Sequence, residues 1–265
     1  MPEKLASGLQ TIFCWKGNGT PPADPDRWAV LVKATLSHLK ECCGEGKVSA
    51  WPCEAWNEPN LACFRGNADK AACLRLCEVT ARAVKEILPQ MPVGGPAIVV
   101  GEGSRAWARD FLIFCREKQL PVDFVSRHAC MGLTPFCRGR YLYPEMRTVE
   151  DILTEPRVTR EIIDSFPEYR GMPMHIAEFN TSYNPFRPIH DTNLNAACIA
   201  GMLSCLGDVA DSYVYWIFGD VFEESGRALP PSTGLRADGG RADPEAHAVD
   251  LCMFQQPAEG GGAPG

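Results

Sequence analysis

The chain has 265 residues, a formal net charge of −7 and 45% hydrophobic residues, which is ordinary for one large globular domain or two small ones. Because the charge is negative and no Lys/Arg run occurs, nucleic acid and anionic membranes are poor candidates for partners. The longest apolar runs are far too short to span a bilayer.

The 13 cysteines are an odd number and none is spaced Cys-x-x-Cys, so no zinc pattern is present. Most lie in apolar periodic segments, where a free cysteine behaves as a small hydrophobe. We interpret them as buried thiols in a reducing compartment. No apolar stretch follows residues 1–4, so they are not a signal peptide. If Met1 is the true start, the sequence predicts a cytoplasmic protein.

Apolar periodicity predicts five strands and six helices. The predicted strands cover residues 48–56, 92–97, 122–128, 174–179 and 212–218. The predicted helices cover residues 27–41 and 68–88, a segment marked by Trp107, Phe111, Phe114 and Cys115, and residues 157–166, 193–206 and 243–254. Asp26 is expected to cap the first helix and Thr192 the fifth. Residues 130–156 are expected to form a long loop, a length typical of a lid over a site.

Two of the predicted strands have a glutamate close to an asparagine at or just after their carboxyl ends. Residues 51–60 read Trp-Pro-Cys-Glu-Ala-Trp-Asn-Glu-Pro-Asn, where Pro59 cannot donate to a ladder and biases Glu58 towards an extended conformation. Residues 174–183 are a second short apolar run, and they contain Glu178 close to an asparagine. A single glutamate at a strand end is usually a solvated loop charge. Two in matching contexts favour the paired-carboxylate chemistry of glycoside hydrolysis.

The order of the elements, one helix followed by five strand–helix repeats, is typical of a parallel sheet with crossover helices. In barrels built this way, catalytic residues lie at the carboxyl ends of the strands. Both Glu58 and Glu178 lie at such ends.

The chain resembles glycoside hydrolase family 39 and, within it, the β-xylosidases. The segments that carry the resemblance are residues 51–60, 93–97, 122–128, 177–185 and 215–224. Trp-Asn-Glu-Pro alone is shared by several families of the same clan. The runs Glu-Phe-Asn-Thr-Ser-Tyr and Asp-Val-Phe-Glu-Glu are more specific.

The resemblance implies an α/β fold, an incomplete (β/α)8 TIM barrel. Five strands are found, and the family's Met-Pro strand end matches residues 1–2, so roughly the first three strands would be lacking. Residues 1–255 would form this part of the catalytic domain, and residues 256–265 a disordered tail. Since five strands cannot close, we expect the chain alone to be poorly soluble and to show little activity.

The resemblance also implies a retaining mechanism with Glu58 as acid/base and Glu178 as nucleophile. Such a mechanism needs two carboxyl groups about 5 Å apart. An ionised Glu178 at short range favours the protonated form of Glu58 through like-charge repulsion. When Glu178 becomes a glycosyl ester, that charge disappears and Glu58 can act as a base on water.

Substrate contacts are implied for five further residues. By resemblance, Asn57 contacts the sugar 2-hydroxyl, His128 lies in the sugar subsite, Trp216 forms a wall of it, and Glu223 and Glu224 bind sugar hydroxyls. Taken without the resemblance, each residue has a structural alternative. Asn57 could form a turn, His128 and Trp216 could be core residues, and the two glutamates could be a solvated acidic loop.

The function implied is a retaining exo-glycosidase that releases β-linked xylose from xylo-oligosaccharides without metal or organic cofactor. The full-length form could assemble as a homo-oligomer. One alternative is another specificity of the family, such as an α-L-iduronidase. A second is an inactive truncated remnant that at most binds sugar. Two features favour this second alternative. Cys130 stands where the family usually has Tyr, and the loop 228–235 diverges from the family pattern.

Overall fold

The computed structural model describes residues 1–9, 18–61, 68–101, 103–130, 136–138, 141–143, 147–182, 188–207 and 209–216. The strands are β1 Cys53–Glu54, β2 Val93–Ile98, β3 Phe124–Cys130, β4 Phe136–Arg138, β5 Tyr141–Tyr143, β6 Met174–Asn180 and β7 Ser212–Tyr215. The α-helices are α1 Pro25–Cys43, α2 Glu45–Val48, α3 Lys70–Ile87, α4 Ser104–Glu117, α5 Val149–Asp164 and α6 Asn193–Leu206.

Five of the strands form one parallel sheet in the order β1-β2-β3-β6-β7, with helices between them along the chain. This arrangement, half of a barrel, confirms the predicted α/β fold class. Each strand pairs with the next through a parallel register. The carboxyl ends of all five strands therefore meet at one edge of the sheet, where barrels of this type place their functional residues.

Two hydrophobic clusters hold the helices to the sheet. The larger one packs residues of α3, α4, α5 and α6 against the strands, whose contributions include Val125 and Ile176, both 0% exposed. The smaller one joins α1, α2, α3 and β2 around Val48, Leu36 and Leu88. Apolar packing thus fixes the sheet against its helices.

The predicted strand 48–56 is wrong over most of its length. Val48 ends the short helix α2, and only Cys53–Glu54 are paired as strand β1. Val48 is fully buried in the smaller cluster. A buried helix and a buried strand give the same apolar signal over a few residues, so the sequence could not distinguish them.

The prediction that residues 130–156 form one long loop is wrong in two places. Strands β4 and β5 form an antiparallel hairpin within it, and α5 begins at Val149 rather than near residue 157. Thr148 and Asp151 form a capping box that starts the helix. Pro156 lies inside the helix and is buried, at the cost of one backbone hydrogen bond.

Asp24, not Asp26, caps α1: its side chain accepts hydrogen bonds from the backbone N–H groups of Asp26 and Arg27. The predicted cap of the later helix is confirmed, because the Thr192 side chain accepts from Asn195 N–H.

Nine cysteines in the described part of the chain are free thiols. Cys73, Cys77 and Cys115 are buried as expected, whereas Cys42, Cys43 and Cys205 are exposed. None of the helices in the described ranges is both long and apolar enough to cross a lipid bilayer. The predicted helix 243–254 and the tail 256–265 lie outside the described residues.

Candidate active site

Glu58, His128 and Glu178 meet at the carboxyl edge of the sheet. His128 lies in β3 and is paired in register with Glu178 of β6, while Glu58 follows β1. One carboxylate oxygen from each glutamate and one ring nitrogen of His128 all lie within 4.8 Å of one another. The structure therefore brings together the two glutamates that the sequence singled out, 120 positions apart, and adds a histidine between them.

The backbone of Glu58 is not extended, as Pro59 led us to expect, but left-handed, with φ of 44°. Its N–H donates to the carbonyl of Ala97, itself left-handed with φ of 52°. Its carbonyl accepts from Leu61 N–H in a tight turn. A non-glycine residue in this region costs about 1–3 kcal/mol and persists only where its surroundings enforce it.

Glu178 reaches the site through an irregularity in β6. The ladder with β3 shifts register between Arg127 and His128, which aligns His128 with Glu178 rather than with Ala177. Such shifts are frequent next to active sites, where they re-aim a side chain. Glu178 is 8% exposed, so its carboxylate is held close to the protein interior.

His128 joins the two carboxyl groups. Its Nδ1 lies 2.8 Å from Glu58 Oε1 and 3.5 Å from Glu178 Oε2, and the side chain is 1% exposed. Burial by itself lowers the pKa of His128, but the hydrogen bond with Glu58 and the charges of Glu178, Glu58 and Glu54 outweigh it and raise that pKa above the ordinary value of 6.5. These interactions favour the protonated ring, in which Nδ1 donates to Glu58.

Glu54 is a third carboxyl group near the site, which the sequence analysis missed. It lies in β1, four residues before Glu58. Burial raises the pKa of Glu54, while a hydrogen bond from the Ser126 hydroxyl and the charge of His128 act in the opposite direction. Ser126 Oγ in turn accepts from Ala97 N–H at 3.1 Å. A charged residue inside a short apolar strand was the signal that could have revealed it.

Cys130 ends β3 close to the carboxyl pair. Burial, followed by the charges of Glu178 and Glu58, raises the pKa of this thiol to about 12. Cys130 is therefore a neutral thiol beside the site and brings neither a reactive thiolate nor an aromatic ring.

Of the five predicted substrate-binding residues, the structure places three. Asn57 is exposed next to Glu58, His128 is at the centre of the cluster, and Trp216 follows β7 with its backbone N–H donating to Phe179 at 3.0 Å. Glu223 and Glu224 lie outside the described residues.

Within the described ranges, one group of side chains could hold a metal ion, and it is the same trio of Glu58, His128 and Glu178. The His128–Glu58 hydrogen bond joins two of its three members directly. An imidazole and two carboxylates would suit a transition metal such as zinc. The carboxyl pair is also what metal-free glycosidic bond cleavage requires.

A parallel α/β sheet that carries two carboxyl groups this close together at the carboxyl ends of its strands has the architecture of the TIM-barrel glycoside hydrolases. The model of the family described as Glycosyl hydrolases family 39 matches residues 1–234. The chain belongs to this family.

Two relatives named as β-xylosidases match most of the chain. It is 50% identical over 227 residues to a β-xylosidase of Geobacillus stearothermophilus, a match that covers 84% of this chain and 44% of the relative. It is 32% identical over 235 residues to a β-xylosidase of Caldicellulosiruptor saccharolyticus, covering 88% of this chain and 46% of that protein. The chain thus spans about half the length of the relatives it matches.

Solved structures of the same family show the same fold. A monomeric β-xylosidase from Caulobacter crescentus superposes with a TM-score of 0.83 at 33% identity, over 95% of this chain and 51% of that one. The family 39 enzyme from Xanthomonas axonopodis pv. citri superposes with a TM-score of 0.82 at 31% identity, over 95% of this chain and 49% of that one.

Proposed function

We propose that the protein acts as a retaining β-xylosidase, with Glu58 as the acid/base and Glu178 as the nucleophile. The observation that carries the proposal is the separation of the two carboxyl groups, whose nearest candidate oxygens lie within 4.8 Å. Retaining enzymes need about 5 Å, whereas inverting enzymes need about 6.5–9.5 Å to leave room for a water molecule.

The reaction proceeds in two displacements at the anomeric carbon. Glu178 attacks this carbon and forms a glycosyl ester, while the leaving oxygen takes the proton of Glu58 and departs as an alcohol. Water then attacks the anomeric carbon of this ester and gives a proton to Glu58, which now acts as the base. Glu178 leaves as a carboxylate, and xylose is released with its β configuration retained.

The substrate is proposed to be a xylo-oligosaccharide or an aryl xyloside. Asn57, exposed beside Glu58, is proposed to contact the 2-hydroxyl, and Trp216 to form a wall of the sugar site. Glu223 and Glu224 are proposed to bind sugar hydroxyls. His128 engages the carboxyl pair through Nδ1, so Nε2 is the atom that would meet the sugar.

Xylose specificity is favoured over iduronic acid by the relatives. Two proteins named as β-xylosidases are 50% and 32% identical to this chain. A bacterial orthologue of α-L-iduronidase is 15% identical with a TM-score of 0.59, a likeness that concerns the fold alone.

The free thiols support a reducing compartment such as the cytoplasm.

The test is the stereochemistry of hydrolysis by an active enzyme that contains this chain. Proton NMR of an aryl β-xyloside reaction should show β-xylose first, with the α anomer arising later by mutarotation. A panel of aryl glycosides should give the highest kcat/KM for the β-xyloside. α-Xylose as the first product would overturn the retaining assignment, and a preference for an iduronide would overturn the substrate.

A further inference from the structure

Each of the two site glutamates is followed, two residues later, by an asparagine: Glu58 by Asn60 and Glu178 by Asn180. Both side-chain amides hydrogen-bond to the backbone at the end of the neighbouring strand in the sheet. The two segments that carry the glutamates are thus each tied to a neighbouring strand end by an asparagine side chain.

Asn60 ties the loop after β1 to the end of β2. Its Nδ2 donates to the carbonyl of Val99 at 2.8 Å, and its Oδ1 accepts from Val99 N–H at 3.0 Å. The side-chain amide therefore uses both of its functions on one residue, as a paired backbone would. Since β1 itself has only two paired residues, this contact and the Glu58–Ala97 hydrogen bond continue the attachment up to the carboxyl group.

Asn180 ties the end of β6 to the end of β7. Its Nδ2 donates to the carbonyl of Trp216, and its Oδ1 accepts from Thr181 N–H at 2.6 Å. The side chain is 1% exposed. Trp216 N–H donates to Phe179 at 3.0 Å, so Asn180 closes a second hydrogen bond between the same two strand ends.

We propose that Asn60 and Asn180 are paired positioning residues that fix the distance between the carboxyl groups of Glu58 and Glu178. The inference rests on the proposed retaining mechanism, in which this distance must remain about 5 Å. Each asparagine holds one glutamate against a different part of the sheet, so the two carboxyl groups keep their separation while charge moves from one to the other.

The left-handed backbone of Glu58 explains why such a clamp is needed. A residue at φ of 44° before a proline tends to relax towards the extended region. Relaxation would swing the Glu58 carboxyl group away from His128 and Glu178. Asn60 prevents it by holding the chain immediately after Pro59 against Val99. A displacement of about 1 Å in a reacting group can cost on the order of 100-fold in rate.

The two asparagines differ in the step they serve, and this makes the inference testable. Loss of Asn60 should impair proton donation by Glu58, which matters for poor leaving groups and little for activated ones. Loss of Asn180 should impair attack by Glu178, which every substrate needs. A merely structural role would give the two asparagine variants the same pattern of losses across the substrates.

The experiment compares Asn60→Asp and Asn180→Asp in the active enzyme. Each aspartate keeps the acceptor oxygen but removes the donor to the neighbouring carbonyl. Thr80→Val is the matched control: it deletes a partly buried hydrogen bond between α1 and α3, which Trp28 Nε1 donates to Thr80 Oγ1 at 2.8 Å. The readouts are kcat/KM on xylobiose and on 2,4-dinitrophenyl β-xyloside, the rate at which a 2-fluoro xyloside esterifies Glu178, and the thermal midpoint.

We expect Asn60→Asp to lower kcat/KM on xylobiose at least 10-fold more than on the activated xyloside. Asn180→Asp should lower both about equally, by 10-fold or more, and slow esterification of Glu178 by a similar factor. Thr80→Val should leave all rates within about twofold even if its thermal midpoint falls.

Proportional losses on both substrates in Asn60→Asp, or rates unchanged in both aspartate variants, would overturn the inference. Should an aspartate variant fail to fold, the uncharged pair Asn60→Ser and Asn180→Ser gives the same comparison. The proposed function fails separately: it is wrong if Glu178→Ala retains turnover, whatever the asparagine variants do.

Discussion

His128 Nδ1 lies 2.8 Å from Oε1 of Glu58 and 3.5 Å from Oε2 of Glu178, so one N–H group faces both carboxyl groups of the site. In the proposed mechanism the negative charge resides on Glu178 before the first displacement and on Glu58 after it. A donor placed between them can stabilise each charge in turn without moving. This arrangement gives the buried imidazole a role within the reaction itself.

The first prediction concerns the titration of His128. Three carboxyl groups act on the His128 ring: Glu54 from β1, Glu58 from the loop after β1, and Glu178 from β6. We expect a pKa above 6.5, seen by NMR of the ring nitrogens. Because this pKa is raised on folding, the stability that His128 contributes is present in full below pH 6.5 and is lost as the pH rises through the folded value.

Glu58→Gln provides the control for this titration. Glutamine keeps the shape of Glu58 and an acceptor oxygen but cannot ionise, so the pKa of His128 should fall. An unchanged pKa in the variant would mean that Glu58 does not hold the proton on His128.

The second prediction concerns the proposed nucleophile. Glu178→Ala should reduce kcat on an activated aryl β-xyloside by several orders of magnitude, because no ester can form. Azide fits the space left by the carboxylate and should restore part of the rate, giving an α-linked xylosyl azide. NMR of the product provides the measurement. A β-linked azide would contradict the placement of Glu178 opposite the leaving group.

The third prediction concerns the proposed acid. Glu58→Ala should slow hydrolysis of substrates with poor leaving groups by about 100-fold or more, since general acid catalysis contributes about 10²–10⁴-fold. Formation of the ester from a dinitrophenyl xyloside, which needs little protonation, should be affected far less. Single-turnover kinetics on both substrates separate the two. Equal losses would remove Glu58 from the acid role.

Much of this site could be predicted from sequence because its signals are local. Short apolar runs ending at Glu58 and Glu178, alternating with amphipathic helices, predicted a parallel sheet with both glutamates at one edge. The length of β1 and the start of α5 could not be predicted in the same way. Val48 is buried in a helix, and Pro156 is accommodated inside one. In both places tertiary packing overrides the local signal.

The left-handed backbone of Glu58 and the clamp by Asn60 were also beyond sequence reasoning. A residue before proline favours the extended region, and only contacts with residues about forty positions away reverse that preference. Asn60 and Val99 are 39 positions apart, so no short-range sequence pattern predicts the hydrogen bonds between them. Residues that position a site through the backbone of another strand emerge only from the fold.

The last prediction concerns the pairing of β2 with β3, on which the clamp depends. A Cβ at Gly94 would lie 2.3 Å from the carbonyl oxygen of Phe124 and 2.5 Å from its ring. Relief requires β2 to move away from β3, and with it Ala97 and Val99, which hold the Glu58 loop. We expect Gly94→Ala to lower the free energy of unfolding by about 3 kcal/mol.

Gly46→Ala is the matched control, because a Cβ there meets nothing within 4 Å. Gly46 lies in helix α2, where alanine is favoured over glycine. The free energy of unfolding of Gly46→Ala should therefore rise by about 0.5 kcal/mol. Urea denaturation of the two variants measures both effects. Since displacement of β2 also moves Glu58, Gly94→Ala should slow xylobiose hydrolysis under conditions where the protein remains folded. Equal stability of the two variants would show that β2 and β3 are not packed as closely as the structure has them.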